Sequence, residues 1–384
     1  MSLSRPDALL AGLTPRQFVA RHWQKRPLLV REALAGVEGL LSPDRLVRLA
    51  TRDDVQARVV IRVGRRFELQ HGPFTRAFLR SLRGQRWTLL VQDVNHHLPQ
   101  ARALLDRFAF IPYARLDDLM VSFAVPGGGV GPHFDSYDVF LLQGRGRRRW
   151  RVSRQADLSL VPDAPLRILR RFQPEQEWVL GPGDMLYLPP SCAHDGVALD
   201  ECMTYSIGFR APSWQELTEQ FLVHLQDCTA REGMYADRNA PLQTSPARIP
   251  PHMVAQVDAE LARIRWSRRD VMRFLGRYLT EPKPHVFFSP PHEPLSLSAF
   301  GRRAMALGIS LDLRTQMLYS GSCFFINGEM LQAEAAGTRA LRELADRRRL
   351  DSIRGLRREL VQRLHAWYVS GYLQIRPATA QEQQ

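Results

Sequence analysis

The segment from Val121 to Val152, VSFAVPGGGVGPHFDSYDVFLLQGRGRRRWRV, constrains this chain more than any other. It sets His133 and Asp135 one residue apart, between a glycine-rich bend and an apolar run. On an extended strand, side chains at i and i+2 leave the same face. One imidazole and one carboxylate can therefore reach the same point. A third donor is available at His194, within GPGDMLYLPPSCAHDG at 181–196. There a Pro-Gly-Asp turn, a short strand and a proline pair precede the histidine, as in a double-stranded β-helix. Two histidines and a carboxylate, with coordination positions left open, form the facial donor set of non-haem Fe(II) oxygenases. His-x-Asp alone is a weak motif, and three unrelated polar residues is the competing reading. The strand context around both halves favours the metal.

Strand signals surround these donors. WTLLVQDV at 87–94 is apolar nearly throughout, which suggests burial on both faces. Val139 to Leu142 is strand-like, Gly144-Arg145-Gly146 reads as a turn, and 147–152 returns antiparallel. Short strands with turn signals between them predict a sandwich or barrel. The glycines at 127–129 suit a bulge or a close approach of backbone to a ligand. The adjacent His96 and His97 would face opposite sides of a strand, so they do not suit a shared metal. Residues 15–34 read as a helix running into Pro27, with Phe18, His22 and Trp23 on one face.

A length of 384 residues predicts two or three domains. We assign 1–212 to the barrel. Pro212 closes it, and Ser213-x-x-Glu216 is a capping-box pattern that opens a helical region at 213–281. Its apolar stripe, Leu217, Phe221, Leu222 and Leu225, is either internal core or a dimer face. A proline-rich stretch at 282–294 leads into the last unit, 282–384. That unit combines helices with a hairpin signal at Asn327-Gly328 and a closing strand near 371–375, consistent with a winged helix. The fold class is therefore α+β.

Composition adds limits. The net charge is +14, and the only lysines are Lys25 and Lys283. The arginine excess reflects either base composition or a partner that is acidic or carries nucleic acid. Four cysteines show no C-x-x-C spacing, which argues against a zinc site or disulfide framework and fits a reducing cytoplasm. No run of 18 apolar residues exists, so no membrane span is expected.

A co-substrate signal lies beside the donors. Arg147, Arg148 and Arg149 sit on the returning strand, so at least one points into the barrel. A buried guanidinium is costly without an anion, and the far carboxylate of 2-oxoglutarate is a fitting one. Thr204 and Ser206 alternate inward on the last barrel strand and suit the co-substrate or the substrate.

These stretches, with FVARHWQKRPLLV at 18–30, RWTLLVQDVNHHLP at 86–99, the whole of 117–152 and YSIGFRAP at 205–212, resemble the bacterial ribosomal oxygenases of the JmjC/cupin class, the ribosomal-protein arginine hydroxylases. The resemblance implies a JmjC/cupin barrel, a helical dimerisation region and hence a homodimer, and a winged-helix-like end. It implies Fe(II) on His133, Asp135 and His194, and 2-oxoglutarate on Arg148 with O2 as the second co-substrate. A polar contact at Ser122 is also implied, because Ala124 is apolar here. Thr204 stands where some relatives carry Asn. The implied substrate is an arginine of a large-subunit ribosomal protein, with ribosomal RNA nearby as a reason for the basic charge. An arginine substrate needs an acidic or hydrogen-bonding partner near the metal. Asp118 and Tyr137 are the candidates, although Asp118 also reads as a cap. The alternatives are a JmjC-type demethylase or histidyl hydroxylase on a protein substrate, or a non-catalytic cupin scaffold that binds ribosomal components.

Overall fold

The computed structural model describes residues 7–64, 66–229, 232–238, 240–242 and 244–377. Eleven strands build the first part: β1 (Leu28–Val30), β2 (Ala57–Val63), β3 (Arg66–His71), β4 (Arg86–Val91), β5 (Leu116–Ala124), β6 (Val139–Arg145), β7 (Arg148–Ser153), β8 (Gln176–Leu180), β9 (Met185–Leu188), β10 (Ala193–Ala198) and β11 (Cys202–Phe209). They form an eight-stranded sheet, in the order β1-β9-β6-β11-β5-β4-β2-β3, and a three-stranded sheet, β10-β7-β8. Helices α1 (Pro15–Arg21), α2 (Pro43–Ala50), α3 (Arg76–Ser81) and α4 (Pro99–Asp106) accompany the larger sheet.

The larger sheet is apolar on both faces, and β4 shows why. Its Trp87, Leu89 and Val91 join a core with Phe18, Leu46, Leu49 and Leu104 from the helices. Its Thr88 and Leu90 point the other way, into a cavity shared with the small sheet. Period-2 alternation thus divides one apolar run between a core and a site.

Three local expectations differ from the structure. Helix α1 starts from a Thr14–Gln17 capping box but stops at Arg21 rather than running to 34. Pro27 disfavours helix at the residue before it, and residues 28–30 instead pair with β9, Leu28 opposite Tyr187 and Val30 opposite Met185. The glycine run approaches backbone, not ligand: a Cβ on Gly128 would meet the Trp87 carbonyl at 2.4 Å, and one on Gly129 the Gly196 carbonyl at 2.5 Å. His96 and His97 belong to a 3₁₀ turn, Val94–His96, and its exit rather than to a strand.

The second part begins with α5 (Trp214–Cys228), α6 (Pro251–Leu261) and α7 (Arg268–Thr280). Phe221 of α5 meets Phe274 of α7 with ring centroids 5.3 Å apart. Leu222, Val223, Val254, Leu261 and Trp266 remain exposed, and α6 buries no residue. Then come α8 (Leu297–Leu307), β12 (Ile309–Leu311), β13 (Met317–Ser320), β14 (Cys323–Ile326), β15 (Glu329–Gln332), α9 (Ala335–Arg347), β16 (Arg349–Leu350), α10 (Arg358–Val369) and β17 (Leu373–Ile375). Asn327 and Gly328, both at positive φ, turn β14 into β15 as the dipeptide predicts. Phe300, Phe324, Leu344, Leu364 and Trp367 centre this domain's own core. Helix α7 packs on its hairpin, because Gly276 leaves room only for the ring of Phe325. Among the described residues no helix is long and apolar enough to cross a membrane.

Candidate active site

His133 and Asp135 lie on an irregular segment rather than a regular strand, tied down at both residues. His133 and His194 form an isolated antiparallel bridge, with His133 N donating to His194 O at 2.9 Å and the return bond at 2.8 Å. Ser191 N donates to Asp135 O at 2.8 Å, which anchors the other end. The bridge brings the imidazole rings to 4.2 Å between centroids. His194 Nε2 stands 3.8 Å from Asp135 Oδ2, and the three candidate ligand atoms all lie within 4.8 Å of one another.

Both histidines have their tautomer set by the backbone. His133 Nδ1 is 2.9 Å from Gly131 O, and His194 Nδ1 is 2.9 Å from Cys192 O. Donation to a carbonyl puts the proton on Nδ1 and leaves the Nε2 lone pair for a metal. Burial, with His133 alongside, pushes His194 down to about 4, so it stays neutral. The donor set, the spacing and the tautomers fit a divalent transition metal with open positions.

The donors open into a cavity of about 470 Å³ between the two sheets. Arg148, on β7, is 5% exposed and lines it; Nε and Nη2 have no hydrogen-bond partner. Its neighbour Arg147 points outward and pairs with Asp200 at 2.9 Å. An orphaned, buried guanidinium facing a cavity is what an anion-binding position looks like before its anion. Ser122, Thr204 and Ser206 also line the cavity. Thr204 lies opposite Ser122 in the β5–β11 register, and its hydroxyl donates to Gln143 Oε1 at 3.0 Å. The Thr204 proton is therefore used within the sheet, and the side chain offers the cavity an acceptor. Ala124 lies elsewhere, packed with Ala198 and Cys202.

Asp118 and Tyr137 reach the same cavity. Asp118 also acts as a cap, accepting from Asp93 N at 3.2 Å. Burial, with Asp93 beside it, pushes Asp118 up to about 7. Several wall residues carried no sequence signal: Arg58 on β2, and Leu166, Arg167 and Ile168 from the loop between β7 and β8. Arg167 stacks over Phe134, 4.9 Å from its ring centre, at the residue between the two metal donors.

The JmjC domain family model matches residues 103–217, and the ROXA-like winged helix model matches 263–374. The ribosomal protein uL16 3-hydroxylase of Escherichia coli is 36% identical over 278 residues, 72% of this chain and 74% of that protein. The chain belongs to the JmjC ribosomal oxygenases. A probable ribosomal oxygenase of Haemophilus influenzae is 38% identical over 212 residues, 54% of this chain and 52% of that one. The solved structure of YcfD, a ribosomal oxygenase from E. coli, superposes with a TM-score of 0.80 at 31% identity and covers 95% of this chain and 98% of its own. A second YcfD structure, in complex with cobalt and 2-oxoglutarate, matches at 32% identity with a TM-score of 0.80, covering 94% and 98%. The barrel and the winged-helix end expected of a ribosomal oxygenase are thus both present.

Proposed function

We propose that this ribosomal oxygenase is an Fe(II)- and 2-oxoglutarate-dependent dioxygenase that hydroxylates a large-subunit ribosomal protein, on an arginine side chain. The observation that carries this is the meeting, in one cavity, of the His133–Asp135–His194 donor set with the orphaned guanidinium of Arg148. When bound, Fe(II) with 2-oxoglutarate and O2 supplies the oxidation, yielding succinate, carbon dioxide and one hydroxyl on the substrate.

The chain's own residues supply position and shelter. The two imidazoles, held by Gly131 and Cys192 carbonyls, and the Asp135 carboxylate hold the metal on one side. Arg148 fixes the distal carboxylate of 2-oxoglutarate through two parallel N–H bonds, with Ser122 and Thr204 nearby. Trp150, Leu141 and Val139 make the wall apolar and limit water. Asp118, Tyr137 and Ser206 receive the substrate side chain, and a guanidinium drawn to Asp118 keeps that carboxylate charged. Such positioning is what the protein contributes in cofactor chemistry.

The uL16 activity of the E. coli relative makes uL16 the substrate to try first. Residues 213–281 serve as a dimerisation region in this reading, because Leu222, Val223, Val254 and Leu261 there stand more than half exposed. The barrel at 1–212 and the winged helix at 282–384 complete the arrangement. A cytoplasmic site of action follows from a ribosomal substrate, and the +14 charge suits contact with ribosomal RNA. The test is mass spectrometry of ribosomal proteins from cells with and without this protein, and of purified uL16 incubated with it. Gain of one oxygen on one arginine is the expected result. Loss of a methyl group would point to a demethylase, and no change at all to a scaffold.

A further inference from the structure

Lys283 is one of only two lysines in the chain, and it sits among three carboxylates. Its Nζ is 2.9 Å from Asp93 Oδ1 and 3.1 Å from Asp117 Oδ1. His285 adds a contact from Nε2 to Asp93 Oδ2 at 2.9 Å. Asp93, at φ +50 and 3% exposed, then turns its own N–H onto Asp118 Oδ2 at 3.2 Å. Two residues on, Asn95 accepts from Leu119 N at 2.8 Å, so the 93–97 turn is fastened to β5 at Asp118 and at Leu119. Asp118 is the only member of this cluster besides Asp117 that lines the cavity.

The other end of this chain of contacts is the winged helix. Lys283 and His285 follow directly on α7, whose Thr280 hydroxyl accepts from Gly328 N in the β14–β15 hairpin at 3.1 Å. Arg210, at the end of the barrel, pairs with Asp117 and also donates to Leu279 O at 2.9 Å. The segment is clamped from both sides.

We infer that Lys283 is a positioning residue for the substrate: its ammonium neutralises Asp93 and Asp117, so that Asp118 offers a charged oxygen to a cationic side chain in the cavity. The inference rests on the proposed pairing of Asp118 with a substrate arginine. Charge counting supports it. Asp93 and Asp118 are both buried and joined through the Asp93 N–H, and neighbouring buried carboxylates do not readily stay ionised together without a cation. Lys283 remains charged despite its burial because the carboxylates outweigh desolvation. Without it, Asp118 keeps its proton and loses its pull on a guanidinium. A lysine suits this place because a compact point charge on a flexible stem can serve two carboxylates that diverge. The winged-helix domain thereby acts on the substrate end of the barrel through one ion pair.

The test uses the full-length, Fe(II)-loaded enzyme with a uL16 fragment as probe, and measures KM for the fragment, KM for 2-oxoglutarate, and kcat. Lys283→Met should raise the fragment KM about tenfold or more, one decade for each 1.4 kcal/mol, with kcat and the 2-oxoglutarate KM unchanged. Lys283→Arg should restore most of the affinity. The double variant Lys283→Met with Asp93→Asn restores the charge balance and should bring the fragment KM back near that of the parent enzyme, which keeps the test readable if Lys283→Met alone is unstable. A folded Lys283→Met enzyme with unchanged fragment KM overturns the inference. So does a parallel loss in all three constants, or a folded double variant that keeps the full defect. Failure of the parent enzyme to hydroxylate an arginine would instead overturn the substrate reading.

Discussion

Replacing Arg148 gives the sharpest test of the co-substrate end. The guanidinium is 5% exposed, and its Nε and Nη2 lack partners. Each charge-assisted hydrogen bond contributes roughly 1.5–3 kcal/mol. Two bonds to one carboxylate are then worth about 3–6 kcal/mol, and a decade of affinity is about 1.4 kcal/mol. Arg148→Ala should therefore weaken 2-oxoglutarate by roughly a hundredfold or more. Arg148→Lys keeps the charge but loses the two-point geometry, and should fall between. The metal should bind as before, because the alanine leaves all three donors in place. A second signature separates this from damage to the fold. In the free enzyme Arg148 is a buried cation with unmet donors, which costs roughly 1–3 kcal/mol for the unmade bonds. Arg148→Ala should thus leave the melting temperature of the ligand-free protein unchanged or higher, while abolishing the stabilisation that added 2-oxoglutarate gives. The assays are thermal unfolding with and without 2-oxoglutarate, and turnover against 2-oxoglutarate concentration. Arg147, paired on the surface with Asp200, is the control. The reasoning is refuted if Arg147→Ala is the damaging change, or if Arg148→Ala shifts the 2-oxoglutarate dependence less than about threefold.

Three other outcomes are expected. Asp135→Ala should abolish hydroxylation and weaken Fe(II) binding without unfolding the barrel, checked by metal titration; tight Fe(II) binding by that variant would remove Asp135 from the donor set. His96 is 7% exposed, and burial lowers it to about 3. Below pH 6.5 the unfolded chain therefore takes a proton that the native one refuses, so this contribution is complete above 6.5 and declines as pH falls toward 3. At pH 5 the loss should be about 2 kcal/mol, and denaturant titrations of His96→Gln should show a correspondingly shallower acid decline; equal declines in both proteins would assign the effect elsewhere. Light scattering at micromolar concentration should report a dimer, and Leu222→Asp with Val254→Asp should yield monomers; a monomeric parent protein would return those faces to plain surface.

The donor set was legible in the sequence because a metal dictates residue type and a strand dictates spacing. Period 2 also required at least one of Arg147, Arg148 and Arg149 to point inward, the resemblance selected Arg148, and the structure buries Arg148 while Arg147 pairs with Asp200 at the surface. What failed to show was set by distant parts of the chain. Helix α1 stops short because residues 28–30 find an edge on β9, which lies more than 150 residues away. Gly128 and Gly129 are small because two strands pass close to them, a fact no local pattern reveals. Arg58, Arg167 and Ile168 reach the cavity from a strand and a loop that carry no motif. Lys283 looked like a residue in a proline-rich link, and only the fold sets it against Asp93 and Asp117.

The register also sorts the two ligands by charge. On β5, Ser122 and Asp118 lie four residues apart, about 13 Å along an extended strand. Ser122 stands opposite Thr204, beside Ala124, which packs on Ala198. Ala198 is the residue paired with Arg148 across β10 and β7. Arg148 therefore belongs to the Ser122 end of the cavity, and Asp118 with Asp117 to the other. His194 pairs with Val152, four residues along β7 from Arg148, which sets the metal donors away from the cationic end. A dicarboxylate is attracted to one end and repelled from the other, and a guanidinium experiences the reverse. In the proposed reading each ligand is thereby kept from the other's place before any shape is read, with the donors between them. In the proposed reading a cationic side chain suits the acidic end, where burial and the neighbouring Asp93 raise Asp118 to about 7 and an added positive charge favours its ionised form.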